Sequence, residues 1–293
     1  MYDRVVIIGY GKIVADVLDM MCERKERYAY QLSCIEYEQM PLAITQKKCE
    51  EENVPYYKLP DRKDVTAYFM EIQEKTLVLS AGNNYLFPAM VVEKENLTII
   101  NFHNALLPKL PGRNAPSWAI YYGEKETGAT WHYVNRDIDA GKIIIQKKCE
   151  IGEDTKAYQL TEQIMDLAAE GFRQIIDPLL RGEEIPVRDN IQGQHKLLLS
   201  RVVPGNGVAD LQQTGKEIYR LLRATDYGKS DIFPPIAAVV EGKEVVLIRY
   251  KRIKREKTAQ DNPVQIEAEQ NLLYKYMDET SELKIKYKEK REA

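Results

Sequence analysis

Residues 5–21 read VVIIGYGKIVADVLDMM, and this stretch decides the class of the fold. Residues 5–8 are a β-branched run that Gly9 closes, a pattern typical of a buried parallel strand. Residues 12–21 then carry apolar side chains at near-helical spacing. The stretch therefore predicts a strand, a glycine turn and a helix, which together open an α/β fold.

The same alternation continues along the chain. Apolar runs that predict further strands are separated by residues with helical periodicity, and parallel neighbours in a sheet need such crossovers. We therefore predict a Rossmann-like, doubly wound and mostly parallel sheet. The later strands are predicted at residues 31–37, 76–80, 97–102, 130–134 and 143–146, and the helices at 43–52, in an acidic stretch before 76, and at 116–122 and 155–180.

The composition is that of a globular protein. The 293 residues are 44% hydrophobic and 30% charged with a net charge of −3, so no whole-protein field draws the chain to nucleic acid or an anionic membrane. No apolar run approaches the roughly 20 residues that cross a bilayer, and residues 1–14 do not read as a signal peptide. The four cysteines form neither a CxxC motif nor a disulfide framework, which predicts a reduced, cytoplasmic protein.

The pattern of predicted elements changes near residue 200. A predicted helix over 214–224 is followed by PPIAAVVEGKEVVLIRYKRI, which has alternating strands about a turn at Glu241-Gly242. Residues beyond 262 are polar and rich in lysine and glutamate. We therefore predict a catalytic domain over residues 1–195, a small β-rich, OB-like domain over 200–260, and a polar tail over 261–293.

Gly9, Gly11 and Lys12 follow the first predicted strand, at the end where open α/β sheets bind ligands. A dinucleotide fingerprint needs a small third residue in this loop, and Val14 occupies that position. The loop is otherwise a tight turn, or a set of backbone amides that binds an anionic part of a substrate together with Lys12. From the residues alone, all three interpretations stay open.

Asn101 and His103 end another predicted strand, and residues two apart in a strand share a face. The loop at 104–112 that follows contains two prolines and a glycine, so we expect a stiff backbone beside the histidine. A histidine in a site needs an orienting partner. Asp137 and Asp139 lie in a predicted turn between two later strands, and an aspartate there would favour the protonated form of His103.

These residues resemble the folate-dependent formyltransferases. The pieces that carry the resemblance occur in the family's order, over roughly residues 76–146. They are Asn101-Phe-His103, LLPK, WAIYYGEKETGAT and Asp139-Ala-Gly-Lys-Ile, and AGNNYLFPAMV at 81–91 is similar to the segment on the pterin side of the family's site. One departure is Ala105, at a position where the family commonly has serine.

The resemblance implies an enzyme that transfers a formyl group from N10-formyltetrahydrofolate to a primary amine, without a metal. It makes Asn101, His103 and Asp139 the catalytic residues and leaves His132 and His195 as structural. The residues expected to bind the formyl donor are Tyr85, Leu86, Phe87, Arg136, Asp137 and Ile138. The residues expected to bind the amine substrate are Gly9, Gly11, Lys12 and Asn104.

The identity of the amine is left open. A small, phosphate-bearing amine such as a nucleotide-linked amino sugar is favoured, because the tRNA-directed members carry a long basic loop after the second strand and the corresponding region here is short and mixed in charge. Methionyl-tRNA is the alternative, with RYKRIKREK at 249–257 as the nearest candidate for a phosphate-binding surface, although such a run also protects sheet edges. A homodimer is compatible with the sequence. Outside this class, an NAD-dependent enzyme and a non-catalytic binding module stay open.

Overall fold

The computed structural model describes residues 1–37, 43–191, 196–255 and 265–290. The chain divides into two compact units. The first comprises Met1–Ala115, Glu126–Glu150 and Thr161–Leu198, and the second comprises Pro116–Lys125, Ile151–Leu160 and Leu199–Ala293. His195 and the last two residues of the basic run at 249–257 lie outside the described residues.

The first unit contains a seven-stranded sheet. Its strands are β1 (Arg4–Gly9), β2 (Gln31–Glu36), β3 (Tyr56–Lys58), β4 (Thr76–Ala81), β5 (Leu97–His103), β6 (Glu126–Tyr133) and β7 (Ile143–Glu150). Their order is β3-β2-β1-β4-β5-β6-β7. The pairs from β3 to β5 are parallel, whereas β6 and β7 run antiparallel to their neighbours. The predicted Rossmann-like, mostly parallel sheet is confirmed.

Helices connect these strands. They are α1 (Lys12–Cys22), α2 (Lys25–Tyr28), α3 (Ile44–Glu51), α4 (Arg62–Glu71), α5 (Ala89–Val92), α6 (Ala115–Tyr122) and α7 (Ala157–Arg181). A further helix, α8 (Gly215–Ala224), lies in the second unit, to which nearly all of α6 and the first residues of α7 also belong. The first helix forms as its sequence predicts, because Ile13, Val17 and Met21 repeat at helical spacing and are fully buried. All six residues of β4 are buried as well, as expected of a central strand covered on both faces. No helix in the described ranges is long and apolar enough to cross a membrane.

The second unit is built around α8 and a five-stranded antiparallel sheet. The strands are β8 (Ala237–Val240), β9 (Lys243–Lys254), β10 (Gln265–Glu267), β11 (Leu272–Asp278) and β12 (Ser281–Glu289), in the order β10-β11-β12-β9-β8. The predicted start of α8 is confirmed by a capping box, in which Thr214 and Glu217 bond each other's backbone N–H groups. Ile218 and Leu222 of the helix share a buried cluster with Leu283 and Ile285 of the sheet.

Two predictions about this region are wrong. The polar tail at 261–293 is not a tail, because its described part supplies three of the five strands. Strand β12 alternates buried Leu283, Ile285 and Tyr287 with lysines, so the average composition hid an apolar stripe of period two. The expected 200–260 domain therefore cuts through the sheet. The OB-like form of this domain stays a prediction.

Candidate active site

Asn101 and His103 lie at the carboxyl end of β5, where the neighbouring strands also place polar side chains. The sheet register sets Asn101 directly opposite Ser80 of β4 on one side and His132 of β6 on the other. His103 is buried, with 4% of its surface exposed, and Asn101 is partly exposed. The expected shared placement of Asn101 and His103 at this end of the strand is therefore present, and a second histidine joins them.

Asp139 lies between the two histidines. Its Oδ2 atom is 3.4 Å from Nδ1 of His103, and its Oδ1 atom is 3.6 Å from Nε2 of His132. The backbone N–H of Gly112 donates to Oδ2 at 2.7 Å. The structure thus brings together Asn101, His103 and Asp139, as the sequence predicts, and anchors the carboxylate from a third direction.

The position of Asp139 depends on its loop. The residue has a left-handed backbone (φ 51°) in the connection between β6 and β7, a conformation that side chains other than glycine adopt with some strain. The Asn190 side-chain amide donates to the backbone carbonyls of Asp139, at 2.7 Å, and Gly141, at 3.0 Å. Gly141 is required here, because a Cβ would lie 1.7 Å from the Tyr133 carbonyl oxygen. Asn190 therefore holds the turn that presents the carboxylate.

The loop at 104–112 encloses His103 from the other side. The carbonyl oxygen of Leu110 lies 2.9 Å from Nε2 of His103, and Leu110 itself has a left-handed backbone (φ 54°). Thr130 fixes the start of the loop: its hydroxyl donates to the carbonyl of Ala105 at 2.5 Å and accepts from the N–H of Leu107 at 3.2 Å. Gln146 donates to the Thr130 hydroxyl at 2.9 Å. The stiff loop that the prolines predict is thus also tied to β6 and β7 by buried hydrogen bonds.

The charges in this site follow from burial and from the two histidines. Burial alone would raise the pKa of Asp139, but His103, His132 and the Gly112 N–H together hold it well below its ordinary value. Burial lowers the pKa of His103, and the Asp139 carboxylate opposes that shift. The expectation that Asp139 keeps His103 protonated is therefore only half met, since Asp139 acts in that direction while burial outweighs it. Both ring nitrogens nevertheless face acceptors, so an imidazolium formed during a reaction would be stabilised at once.

His132 is the residue of this site that sequence reasoning missed. It is buried, its Nε2 atom lies 3.1 Å from Nδ2 of Asn101, and its Nδ1 atom lies 2.8 Å from the Tyr133 carbonyl oxygen. The available signal was its spacing from Thr130 on β6, which puts both side chains on one face. The register of β5 with β6 decides which residue of β5 lies opposite His132. The residue types along the sequence do not determine that register.

The residues expected to bind the formyl donor divide into two groups. Tyr85 is buried in the core, where its hydroxyl bonds the Thr66 hydroxyl at 2.8 Å, and the Phe87 ring packs 5.0 Å from its ring. Leu86 is exposed, so of these three it is the side chain open to a ligand. The other segment, Arg136, Asp137 and Ile138, is exposed, and Arg136 forms an ion pair with Glu93.

The loop after β1 offers little support for its expected role in substrate binding. The Nζ atom of Lys12 lies 2.6 Å from Asp166 and 2.9 Å from Asp16, so its charge is already neutralised. Gly9 is explained by packing, because a Cβ there would lie 1.8 Å from the Ala81 carbonyl oxygen. Gly11 precedes α1 with φ 79°, and a Cβ there would meet no atom within 4 Å.

The structure also weakens the dinucleotide interpretation. A dinucleotide site needs an acidic residue at the end of the second strand to bind the ribose, and Glu36 at the end of β2 is instead buried and hydrogen-bonded to the Tyr56 hydroxyl. Val14 is fully buried against Gly9, so a branched side chain fills the space that the fingerprint keeps small. Asn104 is half-buried at the start of the loop after β5, close in sequence to the histidine. No group of His, Cys, Asp or Glu side chains that could hold a metal ion occurs among the described residues.

Comparison with known sequences gives two kinds of relative. The model of the family described as Formyl transferase matches residues 4–176. The methionyl-tRNA formyltransferase of Alkaliphilus oremlandii (strain OhILAs) is 28% identical over 183 residues, which cover 61% of this chain and 57% of that protein. The GDP-perosamine N-formyltransferase of Brucella melitensis biotype 1 is also 28% identical, over 174 residues that cover 57% of this chain and 62% of that protein. The chain thus spans less than two thirds of either relative.

Comparison with solved structures extends to the second unit. The N-formyltransferase from Helicobacter canadensis, solved with folinic acid and dTDP-3-aminofucose, superposes with a TM-score of 0.75 at 15% identity. The superposition covers 98% of this chain and 100% of that one. At this identity the likeness concerns the fold, and the family assignment comes from the sequence. Since the family match covers more than half of the chain and includes Asn101, His103 and Asp139, the chain belongs to the formyl transferase family.

Proposed function

We propose that this protein transfers a formyl group from N10-formyltetrahydrofolate to a primary amine, with Asn101, His103 and Asp139 as the reacting site. The observation that carries the proposal is the contact of Asp139 with His103 at the carboxyl end of β5, where open α/β sheets bind ligands. Membership of the formyl transferase family supports the same reaction. The folinic acid bound by the H. canadensis relative supports a reduced folate as the donor.

The reaction makes two demands on the site. The amine nitrogen attacks the formyl carbon, which places negative charge on the formyl oxygen. The bond from that carbon to N10 then breaks, and the proton that the amine loses is returned to N10. A site for this chemistry needs a hydrogen-bond donor for the oxygen and a group that accepts and returns a proton.

Asn101 and His103 meet these demands. One N–H of the Asn101 amide faces His132, and the second is left to donate to the formyl oxygen. Loss of one such donor costs about 3–4 kcal/mol of transition-state stabilisation. His103, neutral because burial lowers its pKa, takes the proton of the attacking amine. The imidazolium that forms is then stabilised by Asp139 until the proton moves to N10. A substrate would replace the contact between Nε2 of His103 and the Leu110 carbonyl, because Asp139 orients the other nitrogen.

We propose a nucleotide-linked amino sugar as the acceptor. The support is the H. canadensis structure, which holds dTDP-3-aminofucose and which this chain matches over its full length. The B. melitensis relative, named for GDP-perosamine, supports the same class of acceptor. Lys12 does not contribute to this choice, since two carboxylates already neutralise it.

Methionyl-tRNA is a second candidate, and one surface of the second unit favours it. On the outer face of the five-stranded sheet, Arg249 and Lys251 of β9 lie directly opposite Lys286 and Lys284 of β12. Like charges in opposite positions destabilise a sheet, and a bound phosphate backbone would compensate them. Edge protection does not explain the lysines of β12, because this strand pairs with β11 on one side and β9 on the other.

Donor binding is tested first, by calorimetric titration with a stable analogue that keeps the pterin and a formyl-like group at N10. We expect binding by the wild type and weaker binding by His103→Ala and Asp139→Ala. Formyl transfer is then measured with dTDP-linked amino sugars and with methionyl-tRNA. Transfer to the sugar, unchanged in a Lys251→Gln/Lys284→Gln/Lys286→Gln variant, supports the first acceptor. Transfer to tRNA that falls in this variant supports the second, and a folded wild type that binds no donor contradicts both.

A further inference from the structure

A row of polar side chains crosses three strands at the carboxyl end of the sheet. Ser80 of β4, Asn101 of β5 and His132 of β6 occupy directly opposite positions in neighbouring strands. Asn83 lies just beyond the end of β4 and extends the row by one member. Of these four residues, the family resemblance assigns a role only to Asn101.

Hydrogen bonds join the row into one chain. The Ser80 hydroxyl lies 2.7 Å from Oδ1 of Asn101, and Nδ2 of Asn83 donates to the same hydroxyl at 3.2 Å. At the other end, Nδ2 of Asn101 lies 3.1 Å from Nε2 of His132. Ser80 is buried, with 1% of its surface exposed, so its hydroxyl depends on these protein partners.

Backbone groups at the two ends set the direction of the bonds in the chain. The Tyr133 carbonyl can only accept, so Nδ1 of His132 carries a proton, and in the singly protonated ring Nε2 is an acceptor. Asn101 must therefore turn its NH2 group to His132 and its oxygen to Ser80. The hydrogen bonds at the other end give the same directions. The backbone N–H of Tyr85 can only donate, so the side-chain atom of Asn83 that lies 2.9 Å from it must be the amide oxygen. The Asn83 NH2 group then faces Ser80, whose own proton is left for Asn101.

The hydrogen bond from Ser80 disfavours a second arrangement, in which the Asn101 amide is flipped. If His132 were protonated on both nitrogens, Nε2 could donate to Oδ1 of Asp139, 3.6 Å away. The N–H at Nε2 of His132 and the NH2 group of Asn101 would then point at each other. Only a flip of the Asn101 amide would remove this repulsion between two donors. A flipped amide turns its oxygen to His132 and its NH2 group to Ser80, whose hydroxyl could then only accept and would lose Oδ1 of Asn101, the acceptor of its own buried proton.

From this chain we infer that Ser80 and Asn83 are positioning residues, which hold the side-chain amide of Asn101 with its N–H groups toward the reaction. The inference deepens the proposed function and rests on it for its catalytic meaning. A flipped Asn101 would bring a carbonyl oxygen, rather than a donor, to the formyl oxygen as its negative charge develops. Ser80 thus selects the orientation in which Asn101 stabilises the transition state.

The test compares Ser80→Ala with Ser80→Thr, which keeps the hydroxyl. The matched control is Ser33→Ala, which removes another buried serine of the same sheet whose hydroxyl bonds the Tyr68 hydroxyl at 3.0 Å. The first readout is the NMR spectrum of the full chain, labelled with ¹⁵N, and it requires no activity. In the wild type we expect a His132 ring protonated only at Nδ1 and one set of Asn101 amide signals. In Ser80→Ala we expect the Asn101 signals to shift and to double or broaden, while Ser80→Thr and Ser33→Ala keep the wild-type pattern.

The second readout separates kcat from donor binding. We expect Ser80→Ala to lower kcat about 10- to 100-fold, less than the full loss of an oxyanion donor, with the dissociation constant of the donor analogue unchanged. Ser80→Thr should restore most of this loss. A wild-type His132 protonated at Nε2, or a folded Ser80→Ala variant with wild-type amide signals and kcat, would overturn the inference. If no amine is formylated by the wild type, the proposed function fails, and the NMR result still decides the orientation of Asn101.

Discussion

The Asp139 carboxylate approaches His103 with its Oδ2 atom 3.4 Å from Nδ1 of the ring. His103 is buried and the Asp139 side chain is 11% exposed, and the same carboxylate faces His132 with its other oxygen. One charge therefore serves two imidazoles, of which only His103 also faces the loop at 104–112. This sharing keeps Asp139 ionised, because each histidine and the Gly112 N–H lower its pKa against the effect of burial.

Asp139→Asn should remove most of the activity while keeping the fold. The amide has nearly the same shape as the carboxylate but no charge, so it cannot stabilise an imidazolium on His103. We expect formyl transfer to fall about 10²- to 10⁴-fold, the range in which a positioned acid–base group contributes. The control is Asp189→Asn, an exposed aspartate next to Asn190, whose side chain holds the same loop. Equal losses in the two variants would mean that the loop, rather than the charge of Asp139, matters.

The buried His103 should make the protein less stable in acid. Its pKa in the folded state is below the unfolded value of about 6.5, so the unfolded chain binds a proton first as the pH falls. The stability that the neutral ring contributes is present above the unfolded pKa and is lost as the pH drops toward the folded one. Urea unfolding at about pH 7.5 and about pH 5.5 measures this loss. We expect the wild type to lose more free energy of unfolding over this interval than His103→Gln, and an equal loss would contradict the assignment.

Thr130→Val should loosen the loop beside His103. The Thr130 hydroxyl donates to Ala105 and accepts from Leu107 and Gln146, so the substitution leaves buried polar groups without their partner. We expect a loss of about 1–3 kcal/mol in the free energy of unfolding, with a fall in kcat. The matched control is Thr127→Val, on the same strand and equally buried, for which no side-chain hydrogen bond occurs among the described residues. A similar effect of both substitutions would remove the special role of Thr130.

The last strand should prove essential to the second unit. Leu283 is fully buried against α8, so Leu283→Ala should lower the free energy of unfolding by about 2–5 kcal/mol. Lys286→Ala, three residues along the same strand on its exposed face, should change it by less than about 0.5 kcal/mol. Thermal unfolding of the full chain distinguishes the two. If Leu283→Ala is as mild as Lys286→Ala, the residues after 265 do not belong to the folded core.

What the sequence could predict was set by local patterns. The β-branched runs and glycine turn near Gly9 are properties of single strands and helices, so the mostly parallel sheet could be predicted. Asn101 and His103 could be found because they follow an apolar strand directly. His132 and Ser80 could not, because their roles depend on which strands are neighbours and in what register. The ion pair of Lys12 could not be predicted for the same reason, because its partner Asp166 lies far along the chain in α7.

A single-turnover experiment with N10-formyltetrahydrofolate and a dTDP-linked amino sugar tests the role of the Asp139–His103 pair most directly. Tetrahydrofolate release and sugar formylation are followed together, in the wild type and in Asp139→Asn. We expect equal amounts of both products from the wild type, release of tetrahydrofolate that requires the amine, and a loss of both products in the variant. Formylation that proceeds at the wild-type rate in Asp139→Asn would show that the pair of Asp139 and His103 does not perform the transfer.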